Sequence, residues 1–170
     1  LVVHWPPEIE GSGTTAAAAW LGRNKKTIFL NLKKPSAVEA VKRLILEYDI
    51  LVEQFRPGVM AKLGLDYETL RGVNPRLIYC SLTGYGQTGP LSPRAGHDIN
   101  YMSRSGVMAS AGRKATGPVL TNMQVADVAV GSMNSVVGIL AAVHHRDVTG
   151  RGQYIDVAML DGMVPFNSMD

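Results

Sequence analysis

The sequence has one cysteine, few charged residues and no tract of basic residues interleaved with aromatics. Cys80 cannot form an internal disulfide and by itself provides no metal site, so a disulfide scaffold and a cysteine-based metal centre are excluded. A lone thiol in the apolar run "LIYCSL" is typical of a buried strand and predicts a reducing, cytoplasmic location. Without a basic–aromatic tract, nucleic acid is not an expected partner.

Long apolar runs and a basic leader are also missing. No uninterrupted apolar run approaches the roughly 20 residues of a membrane span, and the opening "LVVHWPPEIE" has no basic leader. We therefore expect neither a membrane span nor a signal peptide. A start at Leu1 and a stop at "DGMVPFNSMD" predict that the chain is a segment of a longer protein.

The composition is that of a folded domain. Hydrophobic residues make up 46% and charged residues 18% of the 170 positions, which suffices for one domain with a core. The net charge of +3 is compatible with an anionic small-molecule partner.

The first half of the chain alternates between strand and helix signals. After 22 irregular residues with one short helix, "KKTIFLNL" and "DILVEQF" read as strands on either side of the helical "KPSAVEAVKRLILEYD". Pro35 suits the first helical position, and Val38, Val41, Leu44 and Ile45 fall on one face. "RPGVMAKLGLDYETLRGVN" predicts a turn and short helices, and "PRLIYCSLTGYG" another strand.

The second half predicts two helices and one more strand. "HDINYMSRSGVMASAG" and "VADVAVGSMNSVVGILAAVHHRD" read as helices separated by the loop "GRKATGPVLTNMQ", and "GRGQYIDVAML" reads as a strand. This alternation predicts an α/β fold with a parallel sheet and crossover helices. Ligands bind such sheets beyond the carboxyl ends of the strands, which places "EQFRPG" and "SLTGYGQTGP" at the expected site.

His97 and Asp127 are the candidate acid/base residues. A histidine, or a carboxylate with a raised pKa, is suited to abstract a proton next to a carbonyl group. By position alone, the favoured interpretations are a hydrogen-bonded loop histidine and a helix-capping aspartate.

Basic residues flank the first predicted strand and follow the second. Such residues bind phosphate groups, although solvated surface charge is the favoured interpretation from composition alone. "GYGQTGP" lacks the Lys-Ser or Lys-Thr of a P-loop, and the adjacent His144 and His145 diverge on a helix, so no metal site is expected. The basic residues concerned are Arg23, Lys25, Lys26, Lys33, Lys34 and Arg56.

Six stretches resemble the family III CoA-transferase superfamily, also called CaiB/BaiF, and within it the 2-methylacyl-CoA racemases most closely. They occur in the family's order and cover most of the chain. The stretches are "NLKKPSAVEAVKRLI", "DILVEQFRPGVMAKLGLDYETL", "NPRLIYCSLTGYGQTGP", "AGHDINYMSRSGVMASAGR", "ADVAVGSM" and "ILAAVHHRDVTGRGQYIDVAMLDG".

The resemblance implies a Rossmann-like large domain, a small domain and a homodimer of two interlaced chains. Residues 1–170 would form a single partial large, CoA-binding domain. The family's first strand and its C-terminal small domain would lie outside this chain.

The resemblance also implies roles for His97 and Asp127. In the family's racemases, a histidine of "GHDINY" and the aspartate of the "ADxxxGSM"-like segment are opposing acid/bases, and the substrate passes through an enolate. In the transferases the same aspartate attacks the acyl-CoA thioester. An asparagine that many racemases carry four residues before this aspartate is replaced here by Met123, next to Asn122.

The CoA contacts implied by the family fall on the segments around the first predicted strand and the "QFRPG" turn. Gln54 stands where the family usually has asparagine, so an amide is retained. No cofactor is implied beyond the coenzyme A of the substrate, and no metal. The matching positions are Arg23, Lys33, Gln54, Phe55 and Arg56.

Three functions follow from these expectations. The first is an acyl-CoA racemase, the second is a CoA-transferase, and the third, of another class, is a non-catalytic CoA-binding module.

Overall fold

The computed structural model describes residues 7–167. The chain forms two compact units, residues 1–31 and residues 32–170. The described part of the first unit is a small hairpin followed by a short helix. Strands β1 (Glu8–Ile9) and β2 (Thr14–Thr15) are antiparallel, and α1 spans Ala16–Gly22. The Thr15 hydroxyl accepts the N–H of Ala18 at 3.1 Å and so caps α1.

The strand predicted for "KKTIFLNL" is wrong. Residues 25–31 form no helix or strand, and Ile28 and Phe29 are 63% and 77% exposed. β-branched and aromatic residues favour a strand only where a neighbouring strand and a packed face receive them. Within residues 7–167 no strand pairs with this segment.

Helix α2 begins as predicted, with Pro35 at its first position, and spans Pro35–Glu47. Ile45 is buried, and Val38 and Val41 pack against the same core. Leu44, predicted for the same face, is 38% exposed.

A three-stranded parallel sheet lies at the centre of the second unit. Its strands are β3 (Ile50–Glu53), β4 (Ile78–Thr83) and β7 (Tyr154–Ala158), in the order β3-β4-β7. Ile50 pairs with Ile78, and Tyr79 with Tyr154. This confirms the predicted α/β fold with a parallel sheet.

Helices α3 (Val59–Lys62) and α4 (Tyr67–Val73) connect β3 to β4, as the sequence predicted. They close a core over one face of the sheet. The buried members of that core are Ile45, Met60, Leu65, Leu70, Leu77 and Tyr79.

The segment predicted as one helix after β4 forms two. These are α5 (Asp98–Arg104) and α6 (Val107–Ser110), separated at Gly106. Gly106 has φ +88°, a left-handed conformation that ends the first helix. The following loop contains the short antiparallel strands β5 (Gly112–Arg113) and β6 (Gly117–Pro118).

The long helix predicted next begins with a π-helical segment, Val125–Ser132, and continues as α7, Met133–Thr149. Strand β7 follows, and then α8 (Met159–Met163) and a final 3₁₀ turn at Val164–Asn167. A second core joins α5, the π-helical segment and α8. Its buried members are Tyr85, Tyr101, Met102, Ala126, Val130 and Met163.

The helical segment Val125–Thr149 qualifies the expectation about membranes. Its 25 residues have a mean hydropathy of 1.6, and by length and composition it could cross a membrane. Only 28% of its most apolar window is buried in the described structure. A core helix of a water-soluble protein meets the same criteria, so the absence of a membrane span stays a prediction.

Candidate active site

The candidate site begins where β3 and β4 end side by side, at the edge of the sheet where the parallel-sheet argument expects a ligand. Glu53, the last residue of β3, lies opposite Ser81 of β4. Its buried carboxylate accepts the Ser81 hydroxyl at 2.5 Å and the backbone N–H of Phe55 at 2.7 Å. These two bonds fix the start of the "QFRPG" loop against the end of the neighbouring strand.

The loop after β4 is shaped by Tyr101. This α5 residue is 5% exposed, and its ring lies against Gly84 and Gly96. A Cβ on either glycine would overlap the ring. Tyr85 meets the same ring edge-to-face at a centroid distance of 5.1 Å. The "GYG" and "AGH" segments therefore both pack against one buried aromatic ring.

His97 is the N-cap residue of α5. Its backbone N–H donates to Oδ1 of Asn100 at 2.9 Å, and the N–H of Asn100 donates back to the His97 carbonyl at 2.8 Å. This reciprocal pair fixes the backbone at the start of the helix. The His97 residue itself is exposed and lines the cavity described below.

Asp127 lies in the first turn of the π-helical segment. Its backbone N–H donates to Oδ1 of Asp98, the residue after His97, at 2.9 Å. Its side-chain Oδ1 is buried and has no hydrogen-bond partner among residues 7–167. A buried carboxylate oxygen without a partner is costly in the folded protein and is available to a ligand.

The environment favours the protonated form of Asp127. Burial raises the pKa of the Asp127 carboxyl, the nearby charge of Asp98 raises it further, and His97 opposes both effects. Burial, with the charge of Asp127 as the next cause, also raises the pKa of Tyr101 to about 12. Tyr101 is consequently a neutral group beside Asp127 at physiological pH.

These residues surround a cavity of about 350 Å³. The buried hydroxyl of Thr83, which has no hydrogen-bond partner among residues 7–167, lies in its wall together with Asp127. The wall combines two arginines with apolar side chains. Its residues are Gln54, Phe55, Arg56, Pro57, Leu82, Thr83, Gly84, Tyr85, Ser92, Arg94, Ala95, Gly96, His97, Tyr101, Asp127 and Met159.

A second cavity of about 250 Å³ is lined by Glu53, Tyr79 and Tyr154 among others, and neither His97 nor Asp127 lines it. Its three carboxylates already have partners in the chain: Glu53 binds Ser81, Asp66 binds Thr69, and Glu68 pairs with Arg71. The cavity between His97 and Asp127 is thus the better candidate for chemistry.

The model of CoA-transferase family III matches residues 3–170. The chain belongs to this family. It is 41% identical over 160 residues to the alpha-methylacyl-CoA racemase of Homo sapiens, covering 94% of this chain and 42% of that protein. It is 42% identical to the succinate–glutarate CoA-transferase of Agrobacterium fabrum, covering 92% of this chain and 40% of that one.

A solved member of the family has the same fold. The crystal structure of a CaiB/BaiF family protein from Brucella suis superposes with a TM-score of 0.89 at 37% sequence identity. The match covers 96% of this chain and 44% of that one. The family III resemblance inferred from the sequence is thus confirmed. The chain spans about two-fifths of the length of the curated relatives it matches.

The structure brings together five of the seven site residues that the family III resemblance implies. Gln54, Phe55, Arg56, His97 and Asp127 line one cavity. The two others are Arg23 and Lys33. Arg23 is at the end of α1 in the first unit, and Lys33 precedes α2 without lining this cavity.

Sequence reasoning missed Asp98, Tyr101 and Arg94. Asp98 and Tyr101 stood inside the quoted family III motif, but their contacts depend on the folded positions of Asp127 and Gly84. Tyr101 follows the N-cap residue His97 by four residues, about one helical turn, and this spacing was the available signal. Among residues 7–167, no cluster of histidine, cysteine and carboxylate side chains is suited to hold a metal ion.

Proposed function

We propose that this chain is part of an acyl-CoA enzyme that inverts the α-carbon of a 2-methylacyl-CoA, with His97 and Asp127 as the opposing acid and base. The observation that carries the proposal is that both side chains line one cavity, in which burial raises the pKa of Asp127. A raised pKa brings a carboxyl group closer to the working pH, which favours it as a donor as well as an acceptor of the proton.

The proposed racemisation needs only proton transfers to and from His97 and Asp127. One residue removes the α-proton, the C–H electron pair becomes the C=C bond of an enolate, and the carbonyl π electrons move to the thioester oxygen. The other residue then delivers a proton to the opposite face of the α-carbon, and the carbonyl group re-forms. The unpartnered Oδ1 of Asp127 suits this role because no hydrogen bond within the described chain must break first. Coenzyme A enters as part of the substrate, and neither a metal nor a further cofactor is proposed.

Arg56, Gln54 and Phe55 are proposed to contact coenzyme A, since they lie in the same cavity wall as the acid/base pair. Arginine binds phosphate oxygens through paired N–H donors. Arg23 and Lys33 are proposed CoA contacts on the family resemblance alone.

The proposal extends to the assembly and its location. Val136, Val137 and Leu140 of α7 are 49%, 63% and 63% exposed, an apolar face suited to an interlaced second chain. The buried free thiol of Cys80 agrees with a reducing, cytoplasmic location.

The second candidate is a CoA-transferase. In that reaction the Asp127 carboxylate attacks the thioester carbonyl and releases the CoA thiolate, which then attacks the Asp127 carbonyl of the mixed anhydride. The first acyl group leaves as a free acid that carries one oxygen of Asp127, and CoA remains as a thioester of Asp127. The acceptor carboxylate then attacks this thioester and releases the CoA thiolate. The thiolate takes the acceptor's acyl group from the second anhydride, so Asp127 is returned with one oxygen from the acceptor. The same unpartnered oxygen favours this role, and Arg94 adds a cation beside the cavity for an anionic acid.

Two incubations of the whole protein separate these candidates. With one C2 epimer of a 2-methylacyl-CoA in deuterated water, a racemase incorporates deuterium at the α-carbon and forms the other epimer. With an acyl-CoA and a free acid labelled with heavy oxygen, a transferase forms a new thioester and leaves label in Asp127. Transfer without exchange would overturn the racemase proposal. Binding of CoA without either reaction would favour the non-catalytic module.

Single variants test the two-base geometry. His97→Asn and Asp127→Asn each remove one base, so each variant is expected to lose racemisation but to exchange the α-proton of only one epimer. The two variants should select opposite epimers. The matched controls are His144→Asn and Asp147→Asn, exposed residues of α7 that do not line the cavity. If both site variants exchange the same epimer, the two-base arrangement is wrong.

A further inference from the structure

Asp98 connects the segments that carry His97 and Asp127. It is the first residue of α5, directly after His97, and its Oδ1 accepts the backbone N–H of Asp127 at 2.9 Å across 29 residues of sequence. The first N–H groups of a helical segment have no partner within that segment. The carboxylate of Asp98 supplies one, and a bond to a charged acceptor is among the stronger ones.

We propose that Asp98 is a positioning residue that holds the backbone of Asp127 against the helix bearing His97 and controls how the two share a proton. The proposal rests on the proposed acid/base function of the pair. Asp98 itself contacts the backbone of Asp127, so it acts through that residue and is not assigned contact with the substrate.

The other charged groups around Asp127 are few. From α5, His97 acts against the charge of Asp98, and Tyr101 stays neutral because its pKa is about 12. On α8 the carboxylate of Asp161 lines a separate cavity.

The remaining neighbours add little negative charge. Residues 133–143 of α7 carry no titratable side chain, and Tyr85 lies against the ring of Tyr101. Arg56 and Arg94 are the cations of the cavity wall. Among the described residues around the pair, Asp98 is therefore the negative charge whose removal should change its titration most directly.

The charge of Asp98 has a predictable effect on the pH profile. A two-base racemase is active when the pair holds one proton, so its rate falls at low pH, where the pair holds two, and at high pH, where it holds none. Removing a nearby negative charge makes both protons easier to lose. Both limbs of the profile should then move to lower pH, whereas a simple loss of structure would lower the profile without moving it.

Asp98→Ala and Asp98→Asn separate position from charge. Asparagine retains an oxygen that can accept the N–H of Asp127, whereas alanine does not. In the whole protein we expect Asp98→Ala to lower the rate of α-deuterium exchange by about 10²-fold, the scale of a small misplacement of a reacting group. Asp98→Asn should recover most of that loss at its own optimum, with both limbs shifted to lower pH.

Two measurements without substrate keep the inference independent of the proposed reaction. Hydrogen exchange of the Asp127 amide should be faster in Asp98→Ala and close to wild type in Asp98→Asn. The carboxyl titration of Asp127, followed by NMR, should move to lower pH in both variants. If the protein proves to catalyse neither exchange nor transfer, these results still test Asp98.

An unchanged Asp127 amide and titration in Asp98→Ala would overturn the inference. A second result would also overturn it: an Asp98→Asn pH–rate profile that is as low as that of Asp98→Ala and is not shifted along the pH axis. That result would show only a loss of structure. If Asp98→Ala does not fold, the profile and titration of Asp98→Asn decide.

Discussion

The ring of Tyr101 fills the space that a Cβ on Gly84 would need. Gly84 directly follows β4, and Tyr101 is buried in α5, so this contact sets how closely the loop after the strand approaches the helix that His97 caps. Both residues also line the cavity.

Gly84→Ala is therefore expected to destabilise the protein by about 1–3 kcal/mol, the usual cost of adding a methyl group to a filled core. The displaced ring should also lower activity, because Tyr101 lies beside Asp127. Urea unfolding and α-deuterium exchange measure the two effects.

Gly72→Ala is the matched control for this substitution. Gly72 lies in α4, and a Cβ there meets no atom within 4 Å. Within a helix, alanine is more favourable than glycine. The free energy of unfolding of this variant should therefore rise by about 0.5–1 kcal/mol. Equal stabilities for the two alanine variants would show that the Tyr101 ring does not constrain Gly84.

Asp127→Asn is expected to stabilise the folded protein near neutral pH. Because the pKa of Asp127 is raised in the folded state, that state binds more protons than the unfolded chain between the ordinary and the raised pKa. Wild-type stability is therefore lost as pH rises through this interval, and asparagine avoids the loss. The gain should disappear below the ordinary carboxyl pKa of about 3.9.

Urea unfolding at a neutral and at an acidic pH checks this expectation. Asp147→Asn, an exposed substitution on α7, should change stability little at either pH. A neutral-pH loss of stability in Asp127→Asn would show that the carboxylate is better solvated or paired than the structure indicates.

Leu70→Ala tests the core that supports β3 and β4. The Leu70 side chain is fully buried between α4 and the sheet. Its truncation should cost about 2–5 kcal/mol, from lost burial and the cavity left behind. Leu46→Ala removes the same atoms from a residue of α2 that is 60% exposed, and should change the unfolding free energy by about 0.5 kcal/mol or less. Similar losses of unfolding free energy in the two variants would contradict the assignment of Leu70 to this core.

Arg94→Gln tests for an anionic acid at the transferase site. Arg94 lines the cavity three residues before His97, and in residues 7–167 its guanidinium makes no hydrogen bond or ion pair. If a dicarboxylic acid is the acceptor, loss of one charged hydrogen bond should raise its KM by about 10- to 100-fold. The rate of α-deuterium exchange with an apolar 2-methylacyl-CoA should change much less.

Arg104→Gln removes the same charge from the last turn of α5, away from the cavity wall, and is the control. Initial rates with a dicarboxylic and a monocarboxylic acceptor give the comparison. Equal KM changes for both acceptors would show that Arg94 does not recognise a second carboxylate.

The sequence predicted elements well where the pattern was local. The helix beginning at Pro35 and the strand ending at Thr83 follow from residue types within one segment. Two predicted elements needed correction. Ile28 and Phe29 have strand propensity but no partner strand in the described chain, and the left-handed Gly106 divides what the pattern showed as one helix.

The sequence by itself determined the family, the parallel α/β fold and the motifs of His97 and Asp127, because these depend on residue order and periodicity. Only the tertiary structure decided that the Asp98 carboxylate binds the amide of Asp127 and that one oxygen of Asp127 is buried without a partner. Contacts across 29 residues arise from how α5 packs on the π-helical segment. The burial that raises the pKa of Asp127 likewise exists only once those helices enclose it.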